Sequence, residues 1–158
     1  MVTAVDTNVL LDILIPGAPE MPSSLAALSN ARAAGTLAIS ESVYAELAGR
    51  FPAHQEMDRF LASTGIRLEP TGTEALYAAG QAWVSYSRAR PRGFLCSRCG
   101  ESQRPSCQAC GAALQSRQHL VADFLIGSHA LYHAEQLLTR DRGAFAAYFP
   151  NLVLMQPT

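Results

Sequence analysis

The sequence predicts an α/β fold in which a central, mostly parallel five-stranded sheet lies between two layers of helices. Short apolar runs that read as strands alternate with segments whose apolar residues recur at helical spacing, a pattern typical of parallel sheets covered on both faces. Two strands lead directly into acids, Asp6 and Asp141, as at the carboxyl edge of open α/β sheets. With 158 residues, 49% of them apolar and 16% charged, the chain is long enough for one domain with a hydrophobic core.

Strands and helices can be assigned in order. The predicted strands cover residues 2–6, 36–40, 66–68, 136–139 and 152–155. The predicted helices cover residues 8–15, Ser24 to Gly35, a segment capped by Ser40, Pro52 to about Thr64, Thr71 to about Arg88, 118–133 and 143–149. The loop from Pro16 to Ser23 contains three prolines, which prevent the first helix from continuing. Residues 91–116 have neither a helical nor a strand period, and we interpret them as an insertion in a single domain that spans residues 1–158.

The sequence predicts neither a membrane helix nor a signal peptide. No apolar run approaches the length of a membrane helix, and the N-terminus lacks the basic region and cleavage site of a signal peptide. We therefore expect a cytoplasmic protein.

The arginines are unevenly distributed. All twelve cationic side chains are Arg, and six of them lie between residues 88 and 117, where Glu101 is the one acid. This segment carries a charge of +5 and the remainder of the chain −6, which together give the net charge of −1. Compositional bias explains why Arg replaces Lys, but the clustering indicates an anionic partner such as nucleic acid.

Four acids form a candidate metal site. Asp6 and Asp141 follow strands, whereas Glu46 and Asp123 lie in helices dominated by apolar residues, where an acid is costly unless it is paired or bound to metal. Converging carboxylates suit Mg²⁺ or Mn²⁺, and a bound ion would activate water for hydrolysis of a phosphodiester. Taken one at a time, the strand-end acids are better explained as caps or turn formers, and the helical acids as solvent-facing residues.

Four blocks of sequence carry a family resemblance. They are Val5-Asp6-Thr7-Asn8-Val9-Leu10-Leu11-Asp12, Ser42-Val43-Tyr44-Ala45-Glu46-Leu47, Val121-Ala122-Asp123-Phe124-Leu125-Ile126-Gly127-Ser128-His129-Ala130 and Leu138-Thr139-Arg140-Asp141-Arg142. In this order they resemble the blocks of the PIN domain, and they are most similar to the VapC-type toxins of toxin–antitoxin pairs. The resemblance implies a PIN-like three-layer α/β/α sandwich and a metal-dependent endoribonuclease that hydrolyses RNA.

The resemblance also implies roles for single residues. The catalytic and Mg²⁺- or Mn²⁺-binding acids are Asp6, Glu46, Asp123 and Asp141. Asn8 and Thr139 would support them by orienting carboxylates or water. For two further residues in the blocks we expect structural roles, namely an ion pair between Asp12 and an Arg, and a packed, hydrogen-bonded His129.

The insertion contains all four cysteines. They form two CxxCG units, Cys96 with Cys99 and Cys107 with Cys110, and seven residues lie between Cys99 and Cys107. Two such units can present four thiolates to one Zn²⁺, and the glycine after each permits the tight turn beneath the sulfurs. In a reducing compartment a closed, structural zinc knuckle is favoured over disulfides and over a redox CxxC motif.

The role of the insertion has two interpretations. It precedes the Asp123 helix, so its arginines, with Arg92, Arg98 and Arg104 as candidates, would contact RNA phosphates near the active site. A tetrathiolate zinc centre contributes −2, which leaves the segment at about +3 and still basic. Alternatively, the knuckle only fixes a long loop or extends a dimer interface.

The expected function is therefore that of a toxin ribonuclease, with a cognate antitoxin as partner and a homodimer as the assembly. One alternative is a housekeeping PIN nuclease in RNA processing or decay. Another is a non-catalytic PIN-like module that binds RNA or protein, although the presence of all four acids argues against it.

Overall fold

A computed structural model describes residues 1–89, 94–95, 102–113, 121–141 and 143–158. The strands are β1 (Val2–Val5), β2 (Thr36–Ile39), β3 (Ile66–Leu68), β4 (Phe94–Leu95), β5 (Ser102–Gln103), β6 (Gln136–Leu138) and β7 (Leu154–Met155). The helices are α1 (Thr7–Leu14), α2 (Met21–Ala34), α3 (Glu41–Ala48), α4 (His54–Thr64), α5 (Gly72–Ala89), α6 (Val121–His133) and α7 (Ala144–Tyr148).

The main sheet has five strands in the order β3-β2-β1-β6-β7, and every neighbouring pair is parallel. The register pairs Ala4 of the central β1 with Ala38 of β2 on one side and with Leu137 of β6 on the other. Helices flank the sheet, so the predicted α/β/α architecture is confirmed. The chain runs outward from β1 through β2 to β3 and then returns to place β6 on the opposite side of β1, which makes the β1–β6 boundary a topological switch point.

Local sequence signals account for some of the helix ends. The Ser40 side chain accepts a hydrogen bond from the Val43 amide at 3.4 Å, so the predicted cap of α3 is confirmed. The predicted start of α2 at Ser24 is wrong by three residues, because the helix begins at Met21 and takes Pro22 into its first turn. A proline is tolerated there, since the first amides of a helix have no intrahelical acceptor to lose.

The core is apolar and includes an aromatic cluster that joins three helices. Trp83 and Tyr86 of α5 lie with their ring centroids 5.6 Å and 5.5 Å from that of Phe124 of α6, and Tyr148 of α7 lies 5.3 Å from it. Tyr86 and Phe124 are each only 2% exposed, so burial of their large rings stabilises the α5–α6–α7 layer. This cluster sets the position of α6, the helix that carries Asp123.

The insertion contains a small second sheet. β4 and β5 are antiparallel, with Phe94 opposite Gln103 and Leu95 opposite Ser102. The sequence predicted no strand there, because two-residue strands are too short to show an alternating pattern. In the described part of the chain, no helix has the length and apolar character needed to span a membrane.

Candidate functional site

The site forms where β1 and β6 end side by side. Asp6 follows β1 directly, and its amide donates a hydrogen bond to the carbonyl of Leu138, the last residue of β6, at 2.9 Å. Thr139 follows β6 and is fully buried. Since the carboxyl ends of parallel neighbours meet at one edge of the sheet, the two side chains are brought together by the topology.

A compact set of hydrogen bonds holds the Asp6 carboxylate. Its Oδ2 atom accepts from Thr139 Oγ1 at 2.6 Å and from Asn8 Nδ2 at 2.5 Å. Asn8 Nδ2 also lies 3.2 Å from Thr139 Oγ1, and Asn8 Oδ1 accepts from the amide of Arg140 at 3.1 Å. Asn8 and Thr139 therefore both fix the orientation of this carboxylate, which is the arrangement that their predicted supporting role requires.

The electrostatics of Asp6 are unusual for an aspartate. It is only 5% exposed, and this burial is the main reason why its pKa is raised from 3.8 to about 6. Hydrogen bonds from the Thr139 side chain and the Thr7 amide lower the pKa, while the negative charges of Asp123 and Glu46 raise it further. Asp6, Asp123 and Glu46 therefore interact electrostatically, although they lie far apart in sequence.

Glu46 reaches the site from α3. Its Oε2 atom accepts a short hydrogen bond from the hydroxyl of Thr7, the first residue of α1. Glu46 is solvent-exposed, which agrees with the solvent-facing alternative that the sequence left open for the helical acids. Sequence reasoning missed Thr7, whose position beside Asp6 in the first sequence block was the available signal.

Asp123 and Asp141 are placed differently. Asp123 is half-buried in the first turn of α6 and contributes to the potential at Asp6. Asp141 is linked to Asp6 through Thr139, because its amide donates to Thr139 Oγ1 at 3.0 Å. The Oδ1 atom of Asp141 accepts from the Gly143 amide at 2.8 Å, which is the turn contact that the sequence left open as an alternative.

The acids surround the strand ends without closing on one point. Among the residues that the structure describes, no group of three or more His, Cys, Asp or Glu side chains is close enough to hold a metal ion. Convergence of Asp6, Glu46, Asp123 and Asp141 on one ion therefore stays a prediction. Mutual repulsion between carboxylates favours wide spacing of the acids.

Two structural roles that the sequence predicted are confirmed. Asp12 is 5% exposed and its Oδ2 atom pairs with Arg140 Nε at 2.8 Å while accepting from Ser24 Oγ at 2.6 Å. His129 is 1% exposed, and its Nε2 atom bonds the carbonyl oxygen of Glu69 at 3.1 Å. Burial is the main cause of its lowered pKa, and the nearby His133 adds to the effect, so the ring packs in neutral form.

The second CxxCG unit forms a tight turn. The Cys107 amide donates to the Ala112 carbonyl, and the Gly111 amide donates to the Cys107 carbonyl, both at 2.8 Å. Gly111 has a φ of +73°, a left-handed conformation that residues with a Cβ rarely adopt. Cys107 and Cys110 are free thiols, and hydrogen bonds from the amides of Cys110 and Ala109 lower the pKa of Cys107.

Of the other predicted residues of the insertion, the structure describes one. Arg104 is exposed. Cys96, Cys99, Arg92 and Arg98 lie outside the described residues.

Comparison with solved structures finds the same fold in toxin–antitoxin complexes. A chain of the VapBC2 complex from Rickettsia felis, solved with a promoter DNA fragment, is 20% identical with a TM-score of 0.60, covering 99% of this chain and 98% of that chain. A chain of FitAcB from Neisseria gonorrhoeae is 18% identical with a TM-score of 0.57, covering 98% and 97%. VapC20 from Mycobacterium tuberculosis, a Sarcin-Ricin loop cleaving toxin, is 15% identical with a TM-score of 0.53, covering 93% and 95%.

At these identities the likeness shows the fold alone, which is the PIN-domain fold. No family model matches the sequence, and no curated protein matches it.

Proposed function

We propose that the protein is a metal-dependent endoribonuclease and the toxin of a type II toxin–antitoxin pair. The observation that carries this proposal is the buried Asp6 at the β1–β6 switch point, held by Thr139 and Asn8 and facing the charges of Glu46 and Asp123. A buried acid with a raised pKa and negatively charged neighbours, at the sheet edge where α/β folds bind ligands, is typical of a functional site.

The donor chemistry fits Mg²⁺ or Mn²⁺. The residues that would hold the ion are Asp6, Glu46, Asp123 and Asp141, and hard divalent cations prefer their carboxylate oxygens. Burial and negative neighbours make the charged form of Asp6 costly, and a cation would offset that cost.

The protein's own contribution to catalysis is orientation and charge. A bound ion would activate water for attack on the RNA phosphodiester and neutralise charge on the leaving group. Thr139 and Asn8 hold one oxygen of Asp6, and Thr7 holds one oxygen of Glu46. These contacts limit the freedom of the carboxylates before substrate arrives.

A cleavage assay tests the proposal. Purified protein with Mg²⁺ or Mn²⁺ should cut structured RNA, and Asp6→Asn should lower the rate by at least about a hundredfold, the order found when a charge-stabilising group is removed. Asp58→Asn is a matched control, because Asp58 lies on α4 with 55% of its side chain exposed and pairs only locally with His54. Equal cutting by wild type and Asp6→Asn, or no cutting by either, would refute the hydrolase.

The toxin assignment rests on the fold shared with VapBC and FitAB chains. It implies a cognate antitoxin that binds this chain and an RNA substrate in the cytoplasm. A housekeeping PIN nuclease would cut RNA equally well, but its gene would have no small antitoxin gene beside it. A non-catalytic PIN-like module would bind RNA and fail the cleavage assay.

We also propose that residues 91–116 are a zinc knuckle inserted in a single domain of residues 1–158, with Cys96, Cys99, Cys107 and Cys110 as ligands. Support comes from the Cys107–Gly111 turn, in which hydrogen bonds from the Cys110 and Ala109 amides lower the pKa of Cys107 and so favour its thiolate. Metal analysis should find about one zinc per chain, and Cys107→Ser should lose it while the sheet domain stays folded. Zinc-free wild-type protein would contradict the closed site.

For the insertion we propose contact with RNA through Arg92, Arg98 and Arg104. Arg104→Ala should weaken RNA binding and reduce its dependence on salt, because each phosphate contact releases counterions. An unchanged salt dependence would leave the other interpretation, in which the knuckle fixes a loop or extends a dimer interface.

A further inference from the structure

Arg140 stands between two residues of the candidate site. It follows Thr139, whose hydroxyl bonds Asp6, and precedes Asp141. Its own amide donates to Asn8 Oδ1 at 3.1 Å, so the backbone at this position is tied to the group that orients Asp6. Consecutive Cα atoms are about 3.8 Å apart, which keeps the base of the Arg140 side chain next to the strand ends.

A buried acid fixes the direction of the Arg140 side chain. Its Nε atom pairs with Asp12, whose side chain is 7% exposed, and Ser24 holds the same carboxylate oxygen. The Arg140 side chain itself is 40% exposed, so part of it reaches solvent while its Nε atom stays paired with Asp12. A guanidinium that is anchored through Nε and partly exposed is suited to bind an anion in a defined orientation, because it carries five N–H donors in a fixed plane.

An open polar pocket adjoins Arg140. Its volume is about 180 Å³, and it is lined by Glu20, Arg140, Gln156 and Pro157. Gln156 also donates to the carbonyl of Asp141 at 3.3 Å, so the pocket adjoins the Asp141 segment. The pocket presents a cation, an amide and a carboxylate acceptor within one small space.

We propose that this pocket binds one ribose-phosphate unit of the RNA strand, next to the phosphate that is cleaved. The terminal nitrogens of Arg140 contact the phosphate, and the carboxylate of Glu20 accepts a hydrogen bond from the ribose 2′-hydroxyl. Glu20 would repel a free phosphate ion but favours a phosphate that carries a neighbouring hydroxyl donor. The 2′-hydroxyl distinguishes RNA from DNA, so the pocket would add preference for RNA.

This inference rests on the proposed ribonuclease function, and its test separates binding from cutting. RNA binding is measured by fluorescence anisotropy over a range of salt concentrations in the Asp6→Asn protein, which retains the pocket. Adding Arg140→Gln should raise the Kd roughly tenfold and reduce the slope of log K against log salt by about 0.7, the value for one single-strand phosphate contact. Arg59→Gln is the matched control, since Arg59 is an exposed arginine that bonds the Gln55 carbonyl on α4.

The alternative is that Arg140 serves only to neutralise Asp12. In that case Arg140→Gln lowers the melting temperature while its Kd and salt slope equal those of Arg59→Gln, and this result would overturn the inference. If Arg140→Gln does not fold, Arg140→Lys replaces it, because lysine keeps the charge but loses the fork geometry. A raised Kd with an unchanged salt slope then supports the pocket, and an unchanged Kd refutes it.

The role of Glu20 is tested by comparing the binding of RNA and of DNA. Glu20→Ala should reduce the preference for RNA over DNA of the same sequence without reducing the salt slope, and an unchanged preference would refute the hydroxyl contact. Cleavage by the wild type is followed on the same RNA. If the wild type does not cut the RNA but Arg140→Gln weakens binding, the ribonuclease is refuted and the pocket is not. If the wild type cuts the RNA but Arg140→Gln binds it with unchanged affinity, the pocket alone is refuted.

Discussion

At the scale of single residues, the carboxylate of Asp6 combines burial with negative neighbours. Asp6 is 5% exposed, and it retains its proton up to a pH of about 6. In the unfolded chain the same group ionises near 3.8. The folded protein therefore binds more protons than the unfolded chain between these two values, and without a cation its stability falls as the pH rises through this window.

The first prediction concerns Asp6→Asn in the presence of EDTA. The pKa difference corresponds to a loss of wild-type stability of about 3 kcal/mol between pH 4 and pH 6, which the neutral asparagine avoids. Urea unfolding at a series of pH values measures the free energy of unfolding of both proteins. The stability of the variant relative to the wild type should rise from pH 4 to pH 6 and stay constant at higher pH. Parallel curves would show that Asp6 has an ordinary pKa.

The second prediction concerns Thr139, whose hydroxyl donates to Asp6 and accepts from the amide of Asp141. Thr139→Val should destabilise the protein by roughly 1–3 kcal/mol, because buried polar groups lose a partner. It should also raise the pKa of Asp6, since the hydroxyl lowers it. Carbon-13 NMR titration of the Asp6 carboxyl measures this shift. Thr139→Ser keeps the hydroxyl and should keep the pKa, and equal values for the two variants would contradict the assignment.

At the scale of elements, the sequence predicts the alternation of strands and helices but not which acids interact. Asp6 and Thr139 could be expected to meet, because both follow strands and strand ends share an edge in parallel sheets. The electrostatic contact of Asp6 with Glu46 and Asp123 depends on how α3 and α6 pack, which no local pattern encodes. The hydrogen bond from Thr7 to Glu46 escaped prediction for the same reason, since it joins α1 to α3.

The packing of α6 on α7 depends on a glycine. A Cβ atom at Gly127 would lie 2.4 Å from Phe149 Cε2 and 3.0 Å from Phe145 Cδ1. Both rings are buried, so they have little room to move. The sequence block that contains Gly127 gave no sign of this close approach.

The third prediction is that Gly127→Ala destabilises the protein although alanine favours helices. Overpacking should cost more than the roughly 1 kcal/mol gained in helix propensity, for a net loss of about 1–2 kcal/mol. The matched control is Gly80→Ala in α5, where a Cβ meets nothing within 4 Å and stability should rise by roughly 0.5–1 kcal/mol. Thermal melting compares the two. A Gly127→Ala protein as stable as Gly80→Ala would mean that the rings yield easily.

At the scale of the whole molecule, the fourth prediction is that the protein is a dimer. Large apolar side chains on α5 are exposed, with Tyr77 at 71%, Leu76 at 48% and Val84 at 39%. Exposed apolar groups in one element are typical of interaction sites. Light scattering coupled to size exclusion should give about twice the 16.9 kDa of one chain, and a mass of one chain at micromolar concentration would contradict the dimer.

The pairing of β1 with β6 has a consequence for the time at which the candidate site is assembled during synthesis. The hydrogen bond from Thr139 to Asp6 joins residues separated by 133 positions. Ribosomes add about 5–20 residues per second, so Asp6 waits on the order of 10 s for the residue that orients it. A partly synthesised chain that ends before Thr139 therefore lacks the contact that orients Asp6, and the candidate site is assembled only when synthesis is nearly complete.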